Sequence, residues 1–294
     1  MAANPTSRLR AALIAPRAKT WLAQTRQAHV LHSFERVINL VNQEAEVLAL
    51  ASWEFGAGPF TLLLENGSFP SGIQVDSPLL VFENGFWIGD WLIDAEGTDL
   101  WQPTPHWEST RNNRANYKWA HGIITALLEE HAPPDSLARL VLNPLGTFAL
   151  PARIQQSAEQ NIPMLFSGVA EGNLEALRRA SKSLAGLGPG LTPAGDDLLL
   201  GVMHGLWATR PDAAPFTDAI ARAATPRTHV LSAAWLTAAS AGEAAEPWHD
   251  LLAALAAHDK TQLEASVMRI LPTGHTSGAD ALAGFLGLLQ HTPL

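Results

Sequence analysis

The hydrophobic repeat of this chain changes once, near Trp107, and that change limits the folds open to it. From about His29 to Trp101, apolar residues alternate or fall in short runs: Val30–Val41, Glu46–Ala51, Pro59–Leu64, Leu79–Phe82 and Phe86–Ile88. A period of two marks half-buried strands. Glu65-Asn66-Gly67, Pro70-Ser71-Gly72 and Glu83-Asn84-Gly85 punctuate these runs. Asn-Gly between apolar runs signals a hairpin, because both residues tolerate the left-handed backbone of a two-residue turn. Leu79–Phe82 and Phe86–Ile88 are close enough to form one, and Trp91–Ile93 and Asp99–Trp101 would complete the sheet. Past Trp107 the chain is rich in Ala and Leu, and the period lengthens to that of helices. Helices are expected over 115–131 and near 152–160, 171–184, 193–208, 215–224, 228–241, 247–257, 260–270 and 277–290. The expected fold is α+β. A β-rich N-terminal barrel or sandwich, residues 1–107, packs against an all-α helical domain, residues 108–294.

Composition removes several functions. The chain has 294 residues, 47% of them hydrophobic, which is enough for a sizeable core. Net charge is −9 and no Lys/Arg cluster stands out, so nucleic acid is not an expected partner. Cysteine is absent, which excludes disulfides, thiol nucleophiles and thiolate metal sites. No run approaches the roughly 20 apolar residues of a membrane span. The longest apolar run near the start, Ala11–Ala15, is too short for a signal sequence. The expected location is therefore the cytoplasm, away from membranes.

The densest motif is Gly186-Leu-Gly-Pro-Gly-Leu-Thr-Pro-Ala-Gly-Asp-Asp197, followed by an apolar run through Leu206. Thr192 and Pro193 read as an N-cap and first helical residue. A glycine-rich loop feeding a helix start aims several backbone N–H groups at one spot, backed by the helix dipole, and favours an anion there. The spacing fits neither a phosphate-binding P-loop nor a dinucleotide fingerprint. Gly274-His-Thr-Ser-Gly-Ala-Asp280 repeats the theme. Matching Thr192 to Thr276 brings Asp196 onto Asp280, one turn into each helix. Gly201 and Gly205 in one helix, and Gly284 and Gly287 in the other, would let another backbone approach closely. Thr228, followed by Ser232 on the same helix face, is a third such start. These three starts are expected to converge on a small polar pocket that accepts anions.

Each residue also has a plain structural reading. Asp196, Asp197 and Asp280 would be favourably placed near helix starts whatever the function. Adjacent helical residues point about 100° apart, so Asp196 and Asp197 cannot serve one purpose. Asp196, on the side of Leu199 and Met203, is expected to be the buried one. Of eleven histidines, only His275 lies inside a motif; the rest show no ligand spacing.

Gly186–Gly201, Thr228 with Ser232, and Gly274–Asp280 together resemble a bacterial family long labelled as a domain of unknown function. It includes a small subunit associated with oxamate carbamoyltransferase of anaerobic allantoin breakdown, which stands beside a larger subunit. The resemblance covers the C-terminal half; the N-terminal half shares only a β-rich character. It implies carbamoyl transfer between oxalurate and phosphate, giving oxamate and carbamoyl phosphate, with partner subunits and no cofactor. These four metabolites are all small anions. On this reading Gly188, Gly190 and Thr192 bind the anion, with Asp197 in the substrate-binding set. Thr228, Ser232, Thr276 and Ser277 add hydroxyl contacts. Asp196 or Asp280 orients the amide N–H groups or acts as a base. Arg227 and His275 supply positive charge or a proton.

Two alternatives stand beside it. Gly195-Asp-Asp197 and Gly278-Ala-Asp280 resemble the helix-start aspartates of all-α ADP-ribosylglycohydrolases, which bind magnesium. A magnesium site from Asp196, Asp197 and Asp280 would follow, though the Asp-Thr-Asp-Thr signature of that family is missing. The other alternative is a non-catalytic metabolite-binding subunit.

Overall fold

The computed structural model describes residues 7–291, and contacts divide the chain into two compact units at Pro103/Thr104. The first unit is built from β1 (Ser7–Ile14), α1 (Pro16–Gln24), β2 (Ala28–Ser33), β3 (Val37–Asn42), β4 (Val47–Ala51), β5 (Thr61–Leu64), β6 (Pro78–Phe82), β7 (Gly85–Ile88), β8 (Trp91–Asp94) and β9 (Asp99–Leu100). The strand order is β5-β4-β3-β2-β6-β7-β8-β1-β9, and β5 also pairs with β1. That pairing closes eight strands into a barrel, so among the described residues the sheet has no long unpaired edge. Of the two architectures open to the sequence, barrel and sandwich, the barrel is the one formed.

The closing strand β1 was not expected from the sequence. Its register shifts between Ala11 and Leu13 where it meets β5. A bulge puts two residues opposite one and breaks strict alternation. Ala11 and Ile14 face the core three positions apart, while Arg8 and Arg10 are exposed. Pro16 begins α1, whose Ala18, Trp21 and Leu22 join the barrel core beside Ile38, Leu40, Phe86 and Ile88. Val30–Val41 is not one run but a hairpin, turned where the Phe34 N–H donates to the Val37 carbonyl at 3.0 Å. Asn84-Gly85 makes the expected tight turn, with Phe82 opposite Gly85. A Cβ on Gly85 would lie 2.2 Å from the Ile93 carbonyl oxygen. Asn66-Gly67 makes no hairpin, because β5 pairs with β4 and β1 and not with β6.

The second unit is helical: α2 (Trp107–Asn112), α3 (Tyr117–His131), α4 (Leu137–Leu142), α5 (Ala152–Ala170), α6 (Leu174–Leu184), α7 (Ala194–Thr209), α8 (Ala214–Ala224), α9 (Val230–Ser240), α10 (Glu246–Ala257), α11 (Lys260–Ile270) and α12 (Ser277–His291). Helix α5 runs through Pro163 to Ala170, well past the expected end near 160. Helix α2 and helix α4, the latter just beyond Pro133-Pro134, were not expected, nor was α1 in the first unit.

Helices α7 and α12 form the centre of this unit. A Cβ on Gly201 would stand 1.8 Å from the Ala281 carbonyl oxygen, and one on Gly284 would stand 2.2 Å from that of Leu198. One on Gly205 would meet Leu288 Cβ at 2.7 Å. Gly201 and Gly284 allow the close backbone approach expected of the helical glycines, whereas Gly205 makes room for the Leu288 side chain and Gly287 for the Phe166 ring. Thr192 meets Ser277 at the two starts and Gly205 meets Leu288 farther along, so the helices run parallel with their starts side by side.

The contacts are also reciprocal: Gly201 stands to Ala281 as Gly284 stands to Leu198. They belong to a larger repeat. Helices α6 and α11 each have 11 residues and are capped by Asn173 and Asp259, whose side chains accept from the N–H three residues on. Left-handed residues precede the caps, Gly172 (φ 67°) and His258 (φ 57°). Each helix ends where a glycine of the next sits on its last carbonyl. A Cβ on Gly195 would be 2.1 Å from the Leu184 oxygen, and one on Gly278 would be 2.0 Å from the Ile270 oxygen. The α6–α7 and α11–α12 hairpins are thus two copies of one unit, related by an approximate two-fold between α7 and α12.

Candidate functional site

The loop into α7 owes its path to glycine. Gly186, Gly188 and Gly190 have φ of 69°, 119° and 96°, values that side chains with a Cβ resist. Gly186 lies against the Arg227 carbonyl oxygen, where a Cβ would come within 2.7 Å, whereas a Cβ on Gly190 would meet nothing within 4 Å. The helix begins at Ala194, one residue later than expected, with Pro193 and not Thr192 at the cap position. The Thr192 hydroxyl instead bonds to Ser277 Oγ at 3.0 Å, tying the two loops together. Thr228 likewise does not cap α9, whose cap position is His229. Its hydroxyl is directed to Asp196.

Asp196 and Asp197 are both buried, 1% and 8% exposed, so the expectation of a single buried member gives way. Asp196 Oδ1 accepts from the Gly186 N–H at 2.9 Å. Its Oδ2 accepts from the Thr228 hydroxyl and, at 2.8 Å, from the Ser232 hydroxyl. Burial raises its pKa, and those three donors oppose the rise. Asp196 therefore ties the glycine loop to the start of α9. Asp197 turns the other way, toward the hydroxyls of Ser277 and Thr192. Its Oδ2 is buried without a hydrogen-bond partner among the described residues. Burial pushes its pKa well above the usual carboxylate range, and the nearby Asp280 and Asp196 charges add to the rise.

Asp280 is fully buried. Its Oδ1 accepts from Ser136 Oγ at 2.6 Å and from the Ala138 N–H at 3.3 Å, while Oδ2 makes no hydrogen bond of normal geometry among the described residues. Burial raises its pKa to about 7, against the pull of Ser136, Thr276 and the first N–H groups of α4. This is a fourth helix start, α4, brought to the same place. Sequence reasoning missed it because Pro133-Pro134 reads as a break. The usable signal was Ser136, which caps α4 by accepting from the Ala138 N–H at 3.0 Å.

The remaining candidates sit around this core. Thr276 and Ser277 are half-buried and His275 is exposed. His275 Nε2 lies 3.0 Å from the Asp135 carboxylate, another α4 neighbour the sequence did not single out. Arg227 is exposed, and its Nε donates to the Lys182 carbonyl at 3.0 Å, at the end of α6. Gly188 is half-buried and Gly190 exposed at the mouth of the loop. Among the described residues, no group of three or more His, Asp or Glu side chains is arranged to hold a metal ion, and Asp196, Asp197 and Asp280 form no such group.

The repeat also alters how the two motifs align. Gly195 matches Gly278 and Gly201 matches Gly284 in their contacts. The residue equivalent to Asp280 is therefore Asp197, not Asp196. The first connection is longer: Leu184 to Gly195 is eleven positions and Ile270 to Gly278 is eight. That difference moved the threonines out of step with the aspartates.

Comparison with known families matches both units. A family described as oxamate carbamoyltransferase subunit AllH matches residues 184–289, the span of both glycine loops and the α7–α12 pair. The AllH family N-terminal domain matches residues 10–100, so the likeness extends to the barrel and beyond a shared β-rich character. No solved structure matches the chain. The chain belongs to the family of oxamate carbamoyltransferase subunit AllH.

Proposed function

We propose that this chain is the small-anion-binding component of a carbamoyltransferase, acting on oxalurate and phosphate to give oxamate and carbamoyl phosphate. The observation that carries the reading is the gathering of the α4, α7, α9 and α12 starts around three buried aspartates. Glycine-loop N–H groups suit the anionic ends of these metabolites, and buried carboxyl oxygens suit their amide N–H groups. Donors fixed in place before reaction also stabilise charge that develops on a tetrahedral intermediate. The loops supply backbone N–H groups, and Thr192, Thr276 and Ser277 supply hydroxyls. Asp196 holds the glycine loop on α9, a positioning role, and leaves Asp197 and Asp280 as the carboxyls with free oxygens. His275 and Arg227 add positive charge at the rim.

A second reading, a subunit that binds the metabolite without turning it over alone, has its own support. The unpartnered oxygens of Asp197 and Asp280 are closed off from solvent. A partner subunit would then open or complete the site.

A thermal-shift panel of phosphate, oxamate, oxalurate and carbamoyl phosphate tests the reading. A ligand bound only by the folded state raises Tm by mass action. Wild type is expected to gain stability and a Gly190→Val/Thr192→Val variant to gain less, since a valine side chain at position 190 fills the open space before the loop. Equal shifts in both proteins would remove the loop from binding. Turnover by the chain alone, against turnover with its partner subunits, separates the two readings.

A further inference from the structure

The approximate two-fold divides the site into parts that a carbamoyltransferase needs. Both loops end in unpaired donors. Among the described residues, the N–H groups of Gly188, Gly190 and Thr192 donate to no protein acceptor, nor do those of His275, Thr276 and Ser277. Each set stands at the start of a helix of 15 or 16 residues, where the dipole favours negative charge. Between them lie the equivalent aspartates Asp197 and Asp280, each more than nine-tenths buried and each with one oxygen lacking a partner. Buried polar atoms are rarely left so. A carboxyl oxygen in that position calls for an N–H donor, not for another anion.

We infer that the paired helix starts form two separate anion subsites flanking one amide cradle. Phosphate sits on the Gly186–Thr192 loop, the carboxylate of oxamate on the Gly274–Ser277 loop, and the carbamoyl –NH2 between Asp197 and Asp280. This rests on the carbamoyl-transfer reading and adds to it which group goes where. The assignment of the two anions follows from loop size. Three left-handed glycines bend the first loop, against one, Gly274, in the second. The first connection is also three positions longer, eleven against eight. The successive N–H groups of Gly190, Leu191 and Thr192, which donate to no acceptor among the described residues, suit a concave nest, and a tetrahedral phosphate presents more oxygens to it than a planar carboxylate does.

The arrangement places the transferred group on the axis, with donor and acceptor on either side. A hydrogen-phosphate oxygen attacks the carbamoyl carbon of oxalurate, and the C–N bond to the oxamate nitrogen breaks. The phosphate's proton passes to that nitrogen. The products are carbamoyl phosphate and oxamate, and the total charge is unchanged. Burial raises both aspartates' pKa, Asp280 to about 7, which limits repulsion of the two anions near neutral pH.

The test uses the full chain, alone and assembled with its partner subunits, with inorganic phosphate and oxamate as probes followed by calorimetry. Wild type should bind both at once, with neither displacing the other. Gly190→Val should weaken phosphate at least tenfold and leave oxamate within twofold, and Thr276→Val, whose hydroxyl makes no hydrogen bond to the first loop among the described residues, should do the reverse. Thr276→Ala serves if the Val variant loses its cooperative melt. Competition between the probes for one site, or equal loss of both in each variant, overturns the two-subsite arrangement and leaves the carbamoyl-transfer reading standing. Absence of binding by either probe, in the chain and in the assembly, overturns both.

Discussion

Asp280 shows how one side chain can carry both fold and chemistry. Its Oδ1 holds the start of α4 through Ser136 and Ala138. Replacing it with Ala strands the buried Ser136 hydroxyl, while the Ala138 N–H keeps Ser136 Oγ as its acceptor, a loss of about 1–3 kcal/mol. Asn keeps the accepting oxygen and removes the titration. Exposed aspartates titrate near pH 4, and Asp280 titrates at about 7 in the folded chain. The folded state thus binds the proton more tightly than the unfolded one. The stability this gives is complete below about pH 4, falls as pH rises toward 7, and is flat above. Burial shifts Asp197 and Asp196 in the same direction. The urea midpoint of wild type should therefore fall between pH 5 and pH 8, and that of Asp280→Asn should fall less. Identical pH slopes would show that Asp280 is not the group responsible. At this scale the residue types were legible in the sequence but their frame was not. Thr192 with Asp196 and Thr276 with Asp280 share a spacing of four, yet the packing glycines match Asp197 to Asp280. A three-residue difference in loop length cannot be told from a shift of helix register without the contacts.

The elements that carry the site depend on glycine inside helices, where propensity alone disfavours it. Gly201→Ala drives a Cβ to 1.8 Å from the Ala281 oxygen, and Gly284→Ala drives one to 2.2 Å from the Leu198 oxygen. Both atoms belong to helix backbone, which cannot step aside as a side chain can. Each substitution should cost at least the roughly 1–3 kcal/mol typical of overpacking. Gly122, exposed on α3 with nothing within 4 Å of an added Cβ, is the control. Gly122→Ala should stabilise by roughly 0.5–1 kcal/mol. Chemical denaturation of the three variants checks the ranking, and a neutral Gly201→Ala would mean that α7 and α12 do not pack this closely. Most of these helices were legible, because the 3.6-residue period survives in Ala- and Leu-rich segments. The misses have local causes. A bulge hid β1, Pro163 concealed the second half of α5, and the six-residue α4 is too short to show a period.

Over the whole molecule, the β-to-α change near Trp107 was legible because strand and helix periods differ so sharply. The largest buried cluster draws only on residues from Trp107 onward, and the next draws on Ala11 to Ile93. Each of these cores has long aliphatic and aromatic side chains of its own, with Phe86 and Trp21 in one and Tyr117 and Phe285 in the other. Units of this size with separate cores fold alone as a rule. The three aspartates, both glycine loops and the α4 start all lie in the second unit. A fragment of residues 104–294 should therefore melt cooperatively by circular dichroism. It should also keep the anion-induced rise in Tm seen in the full chain, while residues 1–103 should fold without responding to anions. A non-cooperative 104–294 fragment would show that the helical unit needs the barrel to fold. A folded fragment deaf to anions that stabilise the full chain would move the binding site out of the helical unit.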